Sequence, residues 1–255
     1  MQPKLEYLTT GQGRKIAYRH NKGRAPTVVF LCGFRSDMTS TKATTLMDWC
    51  VSNDRDMLCF DYSGHGQSSG VFAEGSIGNW LEDAIAVFEL LGEKEKILVG
   101  SSMGGWIAFL LALRKKLQVA GIITLACAAD FVSDILIPAL SAADRESLNH
   151  TGVTLIPSEY EDRPYAIGQT LLDDPGQFEI LKGPIELDCP VDLIHGLEDR
   201  HIPWETSLKA IQRLTGSQSR LTLIKDASHR LSRPEDLEVI TRLLTEMIDK
   251  TEYAV

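Results

Sequence analysis

Short, continuous apolar runs alternate along the chain with amphipathic stretches. Thr27–Cys32, Met57–Phe60, Ile97–Val99, Gly121–Leu125, Val191–Ile194 and Leu221–Ile224 carry apolar side chains at consecutive positions over strand-like lengths. Such runs predict strands buried on both faces, as in a parallel sheet covered by helices. Between them the period lengthens. Trp80, Ala84, Val87/Phe88 and Leu91 fall on one helical stripe, and Leu237, Ile240, Leu244 and Met247 fall on another that begins near Pro234. Strand–helix alternation predicts a three-layer α/β fold with a mostly parallel, eight-stranded sheet and helices on both faces. Tyr7 and Ile16–Tyr18 are placed to add an antiparallel pair at its edge. The rhythm stops between Asp130 and about Gly183. There Ser141 and Asp144 stand at capping-box spacing, and Gly152–Pro164 is punctuated by turn formers. This stretch is too short for a core of its own. It is expected to be a cap, spanning about 130–183, inserted after the sixth core strand of a single domain covering 1–255, with Phe131, Ile135, Leu136 and Ile137 lining a pocket.

Composition narrows the picture without changing it. A length of 255 residues suits one α/β domain with an insertion. The 44% hydrophobic and 24% charged fractions exclude a disordered chain. A net charge of −9 argues against nucleic-acid partners. No apolar run approaches the roughly 18 residues of a membrane helix, so no membrane insertion is expected. The five cysteines form no C-x-x-C pair, which predicts reduced, buried thiols. Met1–Thr10 shows neither signal-peptide nor transit-peptide character, so a cytoplasmic location is expected. No H-E-x-x-H or Cys/His cluster is present, and neither a metal nor a cofactor is expected.

The chemistry-bearing pattern is Gly100-Ser101-Ser102-Met103-Gly104, set between the strand Ile97–Val99 and the apolar helix that follows. Strand, sharp turn and helix are the context that G-x-S-x-G needs to present its serine as a nucleophile. Ser102 is that serine, and Ser101, one step early, is expected to point away. The Met103 N–H, at the helix N-terminus, is one candidate donor to an oxyanion. The other is the Phe34 N–H in Gly33-Phe34-Arg35-Ser36, the loop after the third strand. A serine hydroxyl needs a base, and this chain order puts an acid and then a histidine after it. Asp199 ends the penultimate core strand in His195-Gly196-Leu197-Glu198-Asp199, and His229 follows the last core strand. His195 is read as structural, and His65 as holding the loop after Met57–Phe60. Arg35 is a candidate contact for an anionic substrate group, and Trp106 is a candidate substrate contact whose simpler role is core packing.

With these residues in place the chain resembles the α/β-hydrolase superfamily, and within it the abhydrolase-domain ten family. The resembling segments run from Gly33-Phe34, Ser36-Asp37-Met38 and Lys42-Ala43 through Phe60-Asp61-Tyr62-Ser63-Gly64 and the elbow with Trp106. They continue through Ala128-Ala129-Asp130, Ile156-Pro157-Ser158 and Pro164-Tyr165 to Cys189-Pro190-Val191, His195-Gly196, Asp199, Pro203-Trp204 and Ser207. The turn His65-Gly66-Gln67-Ser68 is closer to the general superfamily form. The resemblance implies a serine hydrolase that cleaves carboxylic esters or thioesters through an acyl-enzyme. Its implied substrates are small molecules, acyl glucuronides or acylated protein, and Ser102, Asp199 and His229 take the triad places. An acyltransferase would use the same residues. A silent binding module would be expected to have lost one of them.

Overall fold

The computed structural model describes residues 2–115, 118–157, 164–173, 176–216 and 218–252. The first strands are β1 (Leu5–Thr9), β2 (Lys15–Asn21) and β3 (Arg24–Leu31), followed by α1 (Thr41–Ser52) and β4 (Arg55–Phe60). Next come α2 (Ile77–Leu90), β5 (Lys96–Ser101), α3 (Met103–Arg114) and β6 (Val119–Leu125). After an excursion, β9 (Val191–Gly196), α7 (Glu205–Arg213), β10 (Ser219–Ile224) and α8 (Pro234–Glu252) complete the chain. The strands form one eight-stranded sheet in the order β1-β2-β4-β3-β5-β6-β9-β10. β2 pairs antiparallel with both β1 and β4, and the remaining neighbours are parallel. The expected edge pair, Tyr7 against Ala17, is in register.

Burial explains the continuous apolar runs. Every residue of β5 and of β9 is buried, as is nearly all of α3. The path from β3 through α1 to β4 runs one way across the sheet, and the path from β4 through α2 to β5 runs back. Right-handed crossovers therefore put α1 on the opposite face from α2 and α3. α8 returns to pack on α1, while α2 packs on α3. The reversal between β3 and β5 leaves a crevice at their carboxyl ends, where open α/β sheets bind their ligands.

The excursion between β6 and β9 opens with a π-helical turn, Val132–Leu136, and a short helix, α4 (Ile137–Ala139). It continues with α5 (Ala142–Thr151), β7 (Val153–Ile156), β8 (Tyr165–Gly168) and α6 (Gln169–Leu172). The capping box forms as its spacing predicts: Ser141 Oγ accepts from the Asp144 N–H at 3.1 Å, and the Asp144 carboxylate accepts from the Ser141 N–H at 2.9 Å. β7 and β8 pair as a small antiparallel sheet, where the sequence showed only a punctuated loop. Ser158, one of the resembling residues, lies outside the described residues. Three bonds tie the returning end of the excursion to the core. The buried Asp130 carboxylate accepts the N–H groups of Ile180 and Leu181, each at 2.9 Å, and Trp106 Nε1–H donates to the Phe178 carbonyl at 2.9 Å.

Candidate active site

Ser102 stands at the turn from β5 into α3 with φ 55° and ψ −118°, a backbone conformation that costs an L-residue free energy. Its surroundings hold it there. The Ser102 N–H donates to the Leu125 carbonyl at 2.8 Å, and its carbonyl accepts from Gly105 and Ala128 at 2.9 and 3.1 Å. The flanking glycines are steric necessities. A Cβ on Gly104 would collide with the carbonyl oxygens of Leu31 and Cys32, and one on Gly100 with the Gly104 carbonyl. The strained serine thus results from packing α3 directly against the ends of β3 and β5.

From Ser102 a chain of hydrogen bonds crosses to two loops more distant in sequence. Ser102 Oγ lies 3.0 Å from His229 Nε2, and His229 Nδ1 lies 2.7 Å from Asp199 Oδ2. The ionised carboxylate only accepts, so Nδ1 carries the proton and Nε2 is left to accept from the serine hydroxyl. The Asp199 side chain is fully buried and doubly supported. Oδ2 also accepts from His195 Nε2 at 3.0 Å, and Oδ1 accepts the N–H groups of His201 and Ile202, each at 2.9 Å. Burial alone would push this carboxyl up. The bonds from His195 and His229 outweigh it and hold Asp199 well below the usual carboxylate range. His195 is fully buried and lies 2.7 Å from the Ser207 hydroxyl through Nδ1, a structural place as the sequence suggested. The loop that carries His229 is fixed to α1, because Lys42 Nζ donates to the Arg230 carbonyl.

On the other side of Ser102 lies the loop after β3. Gly33 abuts the elbow so closely that a Cβ there would meet Ser102 Cβ at 3.3 Å. The Gly33 carbonyl accepts from the Ser36 N–H at 3.1 Å. The Phe34 ring makes edge contacts with Phe72, Trp80, Phe131 and Tyr165 at centroid distances of 4.8 to 5.9 Å. Met103 is fully buried in the first turn of α3. Arg35 is exposed and stacks its guanidinium over Phe72 and Tyr165, 5.1 and 5.5 Å from the ring centroids.

A cavity of about 570 Å³ opens over Ser102 and His229. Phe131, Ile135, Leu136, Ala139 and Tyr165, all from the excursion, line it on the apolar side. Arg35, Ser40, Lys42, His201, Arg230 and Ser232 supply polar and cationic lining. Phe131, Ile135 and Leu136 line it as the sequence suggested, Ile137 does not, and Tyr165, Lys42, His201 and Arg230 were not foreseen. Lys42 and Tyr165 stood in segments of the family resemblance, and His201 and Arg230 beside Asp199 and His229, but no pattern marked any of them as cavity lining. Trp106 also departs from expectation: it is fully buried and does not line the cavity, and its indole is spent on the Phe178 carbonyl. Ser101 is buried beside Ser102 at the cavity's edge. The thiols offer no rival nucleophile. Burial pushes Cys50, Cys59 and Cys127 up to about 12 and Cys189 up to about 11.

Known proteins share this arrangement. The family described as serine aminopeptidase, S33 matches residues 24–163. The mitochondrial palmitoyl-protein thioesterase ABHD10 of Bos taurus is 31% identical over 252 residues, covering 98% of this chain and 82% of its own length. A putative hydrolase of Agrobacterium vitis S4 superposes with a TM-score of 0.91 at 37% identity, covering 96% of this chain and 98% of the other. The structure of mouse alpha/beta hydrolase domain-containing protein 10 superposes with a TM-score of 0.87 at 31% identity, covering 97% and 99%. The curated relatives are mitochondrial by name, which overturns the expectation of a cytoplasmic location. Sheet order, elbow and near-full-length similarity agree, and the chain belongs to the α/β-hydrolases of the ABHD10 type, a family of serine hydrolases.

Proposed function

We propose that this enzyme hydrolyses carboxylic esters or thioesters through an acyl-enzyme on Ser102. The observation that carries the reading is the unbroken hydrogen-bond chain Ser102–His229–Asp199 at the floor of a cavity. Ser102 Oγ attacks the substrate carbonyl carbon while His229 Nε2 takes the hydroxyl proton. Asp199 keeps His229 in the Nδ1–H tautomer and stabilises the imidazolium that forms. The N–H groups of Phe34 and Met103 receive the oxyanion, where preorganised donors count most. As the intermediate collapses, His229 returns the proton to the departing alcohol or thiol. Water, deprotonated by the same imidazole, then cleaves the acyl-serine.

The lining supports a division of labour. The apolar residues of 130–183 would take the acyl chain, so this stretch acts as a cap within one hydrolase domain. The side with Arg35, Lys42 and Arg230 would face the leaving group. A cationic wall suits a leaving group bearing a carboxylate, as an acyl glucuronide does, or the surface of an acylated protein. Palmitoyl-protein thioesterase, the name its curated relatives carry, agrees with the long-chain half of this reading. The test is a pair of variants. Ser102→Ala should abolish hydrolysis of p-nitrophenyl esters and acyl thioesters, by on the order of 10⁴–10⁶ in kcat, and leave the fold intact. Ser101→Ala should retain most activity. An active Ser102→Ala protein would end the proposal.

A further inference from the structure

His65 belongs to the turn after β4, yet its imidazole reaches the neighbouring loop after β3. Its Nε2 lies 3.2 Å from the Arg35 backbone nitrogen, and its Nδ1 lies 3.1 Å from the Ser63 carbonyl oxygen. A carbonyl can only accept and a backbone N–H can only donate. The ring must therefore be the neutral Nδ1–H tautomer, donating to Ser63 and accepting from Arg35. The ring is 4% exposed, enclosed by Tyr62, Phe72 and Trp80 at centroid distances of 5.0 to 5.8 Å. The Ser63 carbonyl also accepts from Trp80 Nε1 at 3.1 Å. The Ser63 N–H and hydroxyl donate to Asp83 Oδ2 at 2.9 and 2.6 Å, and Asp83 Oδ1 accepts from Arg14 Nε at 2.7 Å. The bond to Arg35 is thus the last link of a buried polar relay that begins at the ion pair Arg14–Asp83.

We infer that His65 is a positioning residue for hydrolysis, holding the Phe34–Arg35 peptide and with it the turn, so that the Phe34 N–H stays aimed at the oxyanion. This rests on the reading of that N–H as an oxyanion donor. The Gly33–Phe34 peptide is fixed by its carbonyl, which accepts from Ser36, so its N–H points the opposite way. The Phe34–Arg35 peptide is fixed by the bond from the Arg35 N–H to His65. Arg35 has φ 56°, which a non-glycine residue keeps only where its surroundings hold it there. Without an acceptor at Nε2 the turn can relax, carrying the Phe34 N–H away from the site.

The test compares His65→Asn with His65→Gln. Asparagine can still donate to Ser63 but is too short to reach Arg35, whereas glutamine can present its carbonyl where Nε2 stood. His65→Asn should lower kcat about 10- to 100-fold with KM little changed, since removing an oxyanion donor outright costs about 10²–10³. His65→Gln should recover most of that loss. The second readout is the Phe34 amide proton by NMR on forming a fluorophosphonate adduct. A strong downfield shift in the wild-type protein, diminished in His65→Asn, is expected. No shift in the wild-type protein would overturn the oxyanion reading itself. An equal shift in both, with kcat unchanged, would overturn the inference about His65 alone, as would equal impairment of both variants or a change confined to KM. Should His65→Asn not fold, the ¹⁵N shifts of the wild-type imidazole decide. The Nδ1–H tautomer supports the inference, and the Nε2–H tautomer, which cannot accept from Arg35, overturns it.

Discussion

At the scale of single residues, Asp199, the acid of the proposed triad, asks most of its surroundings. Glu198 and Asp199 are adjacent carboxylates, and only Asp199 turns inward, where two imidazoles and two backbone N–H groups surround it. Glu198 is exposed. Asp199→Asn should therefore lower kcat by on the order of 10⁴, because an amide cannot stabilise the imidazolium and favours the wrong tautomer. Glu198→Gln should stay near wild type. Steady-state kinetics on a p-nitrophenyl ester checks both, and equal mild effects would move the acid to another loop. These residues were legible in the sequence because each sits at a fixed step after a strand that is itself legible. Trp106 was not. A lone tryptophan in an apolar helix reads equally well as core or as cavity wall. What decides is the Phe178 carbonyl, 72 residues away, which takes its indole N–H.

At the scale of elements, the sheet was legible because burial on both faces writes itself as uninterrupted apolar runs. The strand pair β7–β8 was not, since four-residue strands carry too little pattern to separate them from a loop. The cavity wall was legible only in part, for the same reason. Phe131, Ile135 and Leu136 sit close after a recognised strand, whereas Tyr165 reaches the site only through the β7–β8 pairing. Lys42 and Arg230 meet across 188 positions of sequence. If the excursion is a cap that selects acyl chains, each methylene it buries is worth roughly 0.8 kcal/mol, or about fourfold in kcat/KM. Ile135→Gln and Leu136→Asn should flatten the rise of kcat/KM along a series of esters of increasing chain length, and leave acetyl esters nearly untouched. A uniform fall across the series would make this segment a stability element instead.

At the scale of the whole molecule, the residues proposed for hydrolysis come from four loops gathered at the carboxyl ends of the parallel strands, so stability and the proposed activity share the same polar supports. Burial, helped by the nearby Arg35 charge, outweighs the bond to the Ser63 carbonyl and the carboxylates of Asp83 and Asp37 and lowers the His65 imidazole to about 4. An unfolded histidine titrates near ~6.5. Between those values the unfolded chain binds the proton and the native one does not, so stability falls as pH drops through this window and His65 adds no further loss below it. The shift corresponds to roughly 3 kcal/mol. Urea unfolding at pH 7 and pH 4.5 should show a smaller acid loss in His65→Gln than in the wild-type protein, and identical losses would refute this assignment. Whether Ser102 is the nucleophile of an acyl-enzyme is decided by mass spectrometry of the protein caught on a slowly deacylating long-chain ester. One acyl group is expected, on the peptide containing Ser102 and localised to that residue, accumulating at the rate of the product burst. Acylation at Ser101 or at a cysteine, or turnover with no acylated protein under burst conditions, would contradict it.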